Sequence, residues 1–472
     1  MRNVLTALLH LLLLAFLAPA LAADEVQALF EKAEEYARKG AYAQSRKLFR
    51  EIEEKHPGTP WAEKASSRTG DNCLLRAITL GDGGPPENRV DIVFMGDGFL
   101  LDPRKQSQFD KMVQQAISLF EKQRTFREYL SYFNFHQLNL ASKDDGVDMA
   151  GREYDTILDA KASGGSQGQV VVDRTLVRKY LTLAPWGDGF GVVMVLKGTL
   201  GTGGGGIATF GGGPGSTFIH EWGHAFAPLG DEYSSDTGHR GGVRDCANVS
   251  GTDDPEQVPW KHFLEARTPG VGIYEGANGQ TKGAWKPTVQ GCIMGSGGSD
   301  FCVVCREAIV LTVYRYVDPI DTVRPTPSAE PIVLGKDATL EFAVSPLVPA
   351  THKLAVSWTL ENVGKHQTSD LRRYGREASG PSRRRDYKDA MVRSPQSDFP
   401  ELKGEELEAR VKRSREGIEE IVVLKGADLD KGDYRLTVEV NDPTDWVVLD
   451  DNNLLVSRRT WLLSVVEGAP SR

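Results

Sequence analysis

Residues His220-Glu221-Trp222-Gly223-His224 constrain this chain more than any other stretch. On an α-helix, residues four apart stand one above the other on the same face. Two imidazoles at that spacing can grip one zinc ion, while the glutamate beside the first faces the metal's water. The flanks agree with a helix buried on its other side. Thr217-Phe218-Ile219 leads in, Ala225-Phe226-Ala227 continues the apolar face, and Pro228 and Gly230 end it.

Two histidines leave zinc in need of at least one more protein ligand and an open position for water. If the helix ran on, that ligand would come from a later helix, usually as a glutamate in an Asn-Glu-x-x-x-Asp setting, and no such string follows. The stop at Pro228 and Gly230 instead turns the chain back beneath the metal, where Asp231 arrives first, then Glu232 and Tyr233. Asp231 is the expected third ligand and Glu232 its main competitor; His239 reads as a loop histidine without a role. Glu221 is the expected general base, taking a proton from the water and delivering it to the leaving amine in a hydrolysis without a covalent intermediate. Tyr233 has two readings, an oxyanion donor or a hydroxyl that anchors the turn.

The N-terminus reads as an export signal over residues 1–22. Arg2 supplies the positive start, Leu8 to Leu17 the apolar run, and Ala20-Leu21-Ala22 the cleavage site. The run is short for a membrane span, and no later segment approaches one, so no transmembrane segment is expected after signal removal. A retained N-terminal anchor is the alternative. The expected location is secreted, or periplasmic and cell-envelope. A net charge of -9 over 472 residues is mild and spread out, with no footprint for nucleic acid. Five cysteines in an exported chain permit disulfides but cannot all pair within one molecule. Cys302-Val303-Val304-Cys305 reads first as part of a staple near the active site; a redox pair and half of a zinc knuckle are its other readings.

Residues 23–68 carry two helical stripes, Leu29, Phe30, Ala33, Tyr36 and Ala37, then Tyr42, Ser45, Leu48, Phe49 and Ile52, with a third helix at Trp61 to Ala65. Their layout resembles one tetratricopeptide repeat. It serves either as a docking module for an envelope-protein partner or as a prefix packed on the rest. Residues 69–87, with Gly81 to Pro86 at their end, read as a linker. Strands at Val90 to Met95, Phe133 to Leu140 and Gly191 to Leu196 then alternate with helices at Pro103 to Glu121 and Arg174 to Tyr180, which predicts an α/β catalytic domain over 88–318. The glycine-rich stretch Thr199 to Gly215 lacks a Gly-Lys-Ser/Thr ending and is not a phosphate cradle. It is either an edge against which an extended peptide can pair or a flexible loop. From 325 to 468 short alternating strands return. Trp358 and Tyr434 resemble the inner tryptophan and tyrosine corner of an immunoglobulin-like β-sandwich, interrupted by a charged insertion at about 367–414.

His220 to Tyr233 (HEWGHAFAPLGDEY), Asn88 to Phe99 (NRVDIVFMGDGF), Cys292-Ile293-Met294 and Phe301-Cys302-Val303-Val304-Cys305 together resemble the IgA peptidase family of metzincin-like zinc metalloendopeptidases. The resemblance covers about Asn88 to Tyr316. It implies an α/β (α+β) metzincin-like fold, with His220, His224 and an aspartate as zinc ligands, Glu221 as base, and Met294 as a methionine packed beneath the histidines. The sequence departs from the usual metzincin: Ala227 stands where glycine is expected, and Asp231 lies one residue beyond the usual third-ligand position. The expected activity is an exported zinc-dependent endopeptidase acting on a protein or peptide substrate. Its rivals are a catalytically vestigial surface-binding scaffold and a zinc amidase acting on cell-wall peptides.

Overall fold

A computed structural model describes residues 24–80, 83–149, 151–162, 168–196, 200–235, 242–365, 367–370 and 419–467. The expected export signal, His239 and all but the first residues of the charged insertion lie outside the described residues. In chain order the helices are α1 (24–38), α2 (Tyr42–Lys55), α3 (Pro60–Ser66), α4 (Pro103–Lys122), α5 (Arg124–Glu128), α6 (Arg174–Leu181), α7 (Ser216–Phe226), α8 (Lys261–Glu265) and α9 (Val303–Tyr316). The strands are β1 (Cys73–Leu80), β2 (Val90–Asp97), β3 (Phe133–Ala141), β4 (Lys161–Ala162), β5 (Val170–Val171), β6 (Phe190–Val195), β7 (Thr202–Gly204), β8 (Ile207–Gly211), β9 (Tyr274–Ala277), β10 (Gln280–Lys286), β11 (Ile320–Arg324), β12 (Ile332–Gly335), β13 (Thr339–Pro346), β14 (Ala355–Asn362), β15 (Gln367–Asp370), β16 (Glu420–Lys425), β17 (Gly432–Asn441) and β18 (Val456–Val466). None of the described helices is long and apolar enough to cross a membrane. The chain divides into two compact units, the first comprising Met1–Gly81, Asp91–Leu119 and Phe135–Ala225, the second Asp82–Val90, Phe120–Asn134 and Phe226–Arg472.

The first unit is built on a six-stranded sheet of order β1-β3-β2-β6-β8-β7. Its centre, β2, β6 and β8, is parallel, and its outer strands β1 and β7 run antiparallel to their neighbours. Strand β2 is buried at every position, as expected of a parallel strand covered on both faces. Val93, Met95, Leu138, Leu140, Val177, Val193 and Ile207 make the core on one side. The stretch read as a linker contains β1, which pairs with β3 from Cys73 opposite Ala141 to Leu80 opposite Phe135. Its two polar members, Arg76 and Thr79, are both paired: Arg76 meets Asp110 at 2.8 Å, and Thr79 meets His136 at 3.0 Å.

The Gly96-Asp97-Gly98 signal at the end of β2 is a structural hub. Asp97 is fully buried and its carboxylate accepts from the backbone of Leu158 (2.8 Å) and Ala160 (2.9 Å) and from Thr156 Oγ1 (2.8 Å). Burial pushes its pKa up against those bonds. Gly98 has φ +74°, and a Cβ there would stand 2.5 Å from the Gly146 carbonyl oxygen. These two residues hold the loop after β3 against the sheet.

The N-terminal helices bury a small core of their own. Phe30 meets Phe49 and Trp61, each at 5.1 Å between ring centroids, and Thr59 caps α3 by accepting from the Ala62 backbone N–H at 3.2 Å. They also join the sheet: Tyr42 packs with Cys73, Leu75 and Ala141, and Arg76 donates to the Arg38 carbonyl oxygen at 3.4 Å. These contacts favour the reading of a packed prefix.

The second unit holds the β9–β10 hairpin, α5, α8 and α9, a three-stranded sheet of order β11-β13-β16, and a five-stranded sheet of order β12-β18-β17-β14-β15. The last two face each other: Phe342 of β13 meets Trp461 of β18 at 5.3 Å, and Trp461 stacks on Trp358 of β14 at 5.8 Å. Tyr434 donates from its hydroxyl to the Asp430 carbonyl oxygen at 3.0 Å, the local bond that the turn Asp430 to Asp433 makes available. A buried polar joint ties these sheets to α5 and α9. His352 bridges Glu128 (2.9 Å) and Asp442 (2.7 Å), and Asp442 also accepts from Tyr129 (2.9 Å) and Tyr314 (2.6 Å). Burial opposes a charge on His352, but the bonds to Asp442 and Glu128 outweigh it and raise its pKa to about 9.

Candidate metal centre

Helix α7 seats its apolar side firmly. Phe218 packs on Phe210 at 5.0 Å, Trp222 meets Phe190 edge-on at 5.8 Å, and both side chains are fully buried. The opposite side carries the predicted pair. His220 and His224 are half-buried, with Nε2 atoms 3.1 Å apart and rings nearly perpendicular. Two nitrogens bound to one zinc at about 2.05 Å stand roughly 3.1–3.4 Å apart at near-tetrahedral angles. The pair therefore fits a single ion. Glu221 lies beside them at 8 % exposure, sheltered yet reachable.

The glycine-rich stretch packs against this helix. A Cβ added to Gly203 would stand 2.1 Å from the Glu221 carbonyl oxygen and 2.9 Å from His224 Cβ; one on Gly201 would stand 2.4 Å from Glu221 Cγ. Glycine is required there because strand β7 and the residues before it run directly over the turns of α7 that carry Glu221 and His224. Within the stretch, β7 is hydrogen-bonded to β8 and ends the sheet order.

In the second unit, Asp231, Glu232 and Tyr233 are held from two sides. The Asp231 carbonyl oxygen accepts from Asn278 N–H (2.8 Å) and that of Tyr233 from Gly279 N–H (3.1 Å), while Glu232 N–H donates to the Met294 carbonyl oxygen (2.7 Å). The turn of the β9–β10 hairpin and the turn at fully buried Met294 thus clamp the three residues between them. Gly230 is needed for packing as well as for ending the helix: a Cβ would stand 2.6 Å from Val249 Cγ2. Asn248 fastens the same bend, accepting from Gly230 N–H (2.7 Å) and donating to the Gly230 carbonyl oxygen (2.9 Å).

Neighbours Asp231 and Glu232 have different surroundings. Asp231 is half-buried. Glu232 is 1 % exposed, and its carboxylate accepts from Asn248 Nδ2 (3.0 Å), Thr288 Oγ1 (3.1 Å) and Cys305 Sγ (3.1 Å). Burial, reinforced by Cys292, raises its pKa to about 7. Around it gather Cys292, Cys302 and Cys305, all free thiols. The ligand atoms of these four residues all lie within 4.8 Å of one another. Cys292 and Cys305 are 3.7 Å apart at sulfur, and Cys302 N–H points at Cys292 Sγ at 3.4 Å. The expected staple is thus replaced by a cluster of thiols. The Cys292 thiol is pushed down to about 3 by bonds from the Cys302 and Cys305 thiols. The bond to Cys292 first of all pushes Cys302 up, and burial does the same to Cys305.

Sequence reading found the histidine pair, Glu221 and the bend at Pro228–Asp231. It assigned Glu232 only as a rival ligand for the same metal and left Cys292 unplaced. The spacing of Cys302 and Cys305 was the signal available for the cluster. Asn248 and Thr288, the other partners of the Glu232 carboxylate, sit in loops without any pattern to mark them.

A family model described as IgA Peptidase M64 matches residues 78–270. That span includes α7 and Asp231 and ends before Cys292. No curated protein matches the chain.

Proposed function

With residues 78–270 belonging to the IgA peptidase family, we propose that this protein is an exported zinc-dependent endopeptidase. The observation that carries the reading is the convergence of His220 and His224 Nε2 atoms at 3.1 Å, with sheltered Glu221 between them in sequence. His220, His224 and Asp231 would hold the zinc. The seven-residue step from His224 to Asp231 and the commitment of Glu232 to the thiol cluster support Asp231 over its neighbour. Bound zinc supplies Lewis acidity, lowering the pKa of a water and polarising the scissile carbonyl. Glu221 would accept a proton from the attacking water and pass it to the departing amine nitrogen. Strand β7, with its small side chains, offers backbone groups with which an extended peptide pairs, so that the scissile bond lies along α7.

The proposal includes the domain plan: a signal at 1–22, a tetratricopeptide-like segment at 23–68, a metzincin-like catalytic domain at 88–318 whose sheet also takes in β1 and which has Met294 in its methionine turn, and an immunoglobulin-like sandwich at 325–468. The facing sheets around Trp358 and Trp461 support the last assignment. The product of the reaction is a cleaved polypeptide outside the cytoplasm, in the periplasm, on the envelope or in the medium.

The test is cleavage of denatured proteins by the full chain with and without a chelator. Cleavage abolished by chelator and restored by zinc is the expected result. Intact folding with no cleavage of any protein would favour the vestigial scaffold, and activity confined to cell-wall peptides the amidase. Mapping the cut sites would define the specificity at the same time.

A further inference from the structure

We propose that Cys292, Cys302, Cys305 and Glu232 bind a second zinc ion, in a closed structural site distinct from the histidine pair. The argument begins with distances. Zinc–sulfur bonds of about 2.3 Å at tetrahedral angles put two sulfurs about 3.8 Å apart, and a zinc–oxygen bond of about 2.1 Å puts oxygen and sulfur about 3.6 Å apart. Cys292 and Cys305 stand 3.7 Å apart, and Cys302 Sγ stands 3.6 Å from Glu232 Oε1; Cys305 Sγ is closer to that oxygen, at 3.1 Å. A disulfide requires sulfurs at about 2.05 Å, so this is ligand spacing rather than a bond stretched or missed.

The chain delivers the four donors from three rigid places. Cys302 is the N-cap of α9 and Cys305 lies in its first turn, so one helix start presents two sulfurs to the same point. Cys292 leads the turn that Gly295 N–H closes on the Cys292 carbonyl oxygen at 2.9 Å. Glu232 arrives from the bend after α7, its second oxygen already tied to Thr288 at 3.1 Å, which orients the first toward the sulfurs. Cys292, Cys305 and Glu232 are all buried. With half-buried Cys302 they make a set of four protein donors, the form that structural zinc takes. An ion there would lock together α9, the Met294 turn and the segment that carries Asp231. Binding releases the thiol protons to solvent, and no oxidant or reductant is involved.

The experiment uses the full chain, purified without chelator, and measures bound metal directly. Wild type should hold two zinc equivalents. The double variant His220→Ala/His224→Ala should retain one, and Cys302→Ser/Cys305→Ser should lose one. After exchange with cobalt, the histidine variant should keep the near-ultraviolet thiolate-to-cobalt absorption and the cysteine variant should lack it. Should the cysteine variant fail to fold, alkylation of wild type decides: the three thiols should be protected until a chelator is added, then react. Thiols that react without chelator, that stay protected after it, or that prove disulfide-bonded in the fresh protein would overturn the proposal. So would a histidine variant without thiolate-to-cobalt absorption. Because that variant lacks the proposed catalytic ligands, failure of the endopeptidase reading leaves this result untouched.

Discussion

The histidine pair on α7 and the cysteine–glutamate cluster hold metal-ligating side chains in different surroundings. The histidines are half-buried, and the sheltered Glu221 lies between them in sequence. The cluster is closed by a helix start, a tight turn and a buried glutamate. A metal that must activate water needs an open position; one that fixes a fold needs none. The contrast teaches that Asp231 and Glu232, adjacent in the chain, stand in different surroundings, one half-buried and the other buried among thiols.

The sharpest way to break this contrast is Glu221→Ala. It should keep zinc at the histidine pair while peptide hydrolysis falls by about three orders of magnitude, the usual scale for removing a general base; single-turnover cleavage alongside metal analysis checks both. Next, Asp231→Ala should lose the zinc held by the histidines and keep the thiolate-to-cobalt absorption, whereas Glu232→Ala should weaken that absorption first. The reverse pattern would exchange their roles.

Cys305→Ser should destabilise the fold by about 4 kcal/mol or more, as expected when a structural metal is lost, read as a drop in the chemical-denaturation midpoint. Gly203→Ala should cost about 3 kcal/mol, because a Cβ 2.1 Å from the Glu221 carbonyl oxygen forces β7 and α7 apart. Its activity should fall with its stability, whereas Gly283→Ala, whose Cβ meets nothing but which has φ +77°, should show only a local strain cost.

The smallest effect concerns the polar joint under the sandwich. His352 has a folded pKa raised to about 9 against an unfolded value near 6.5. Its contribution is therefore complete below about pH 6.5 and is lost as pH rises through about 9. With a quarter of the ring exposed, that contribution is about 2 kcal/mol after solvent screening. Urea unfolding at pH 6 and pH 9.5 should show the loss in wild type and a flatter response in His352→Gln.

Long periodic elements were legible from the residues alone. The helix expected at Pro103 to Glu121 is α4, Pro103–Lys122, and the strands expected at Val90 to Met95 and Phe133 to Leu140 are β2 and β3, each longer by a residue or two. Strands β1 and β7 were not. In β1 the arginine and threonine find their partners in Asp110 of α4 and His136 of β3, and β7 consists of threonine and two glycines, of which Gly203 lies against α7.

The sequence by itself determined the spacing of the histidine pair, the glutamate between them and the bend that follows, because helical spacing and a helix stop are local properties of a few adjacent residues. Only the tertiary structure decided that Glu232 and the cysteines gather. Their grouping joins residues sixty and more positions apart, and whether neighbouring carboxylates face one environment or two depends on what packs on either side of the backbone. Local pattern names the chemistry; long-range packing allots the ligands.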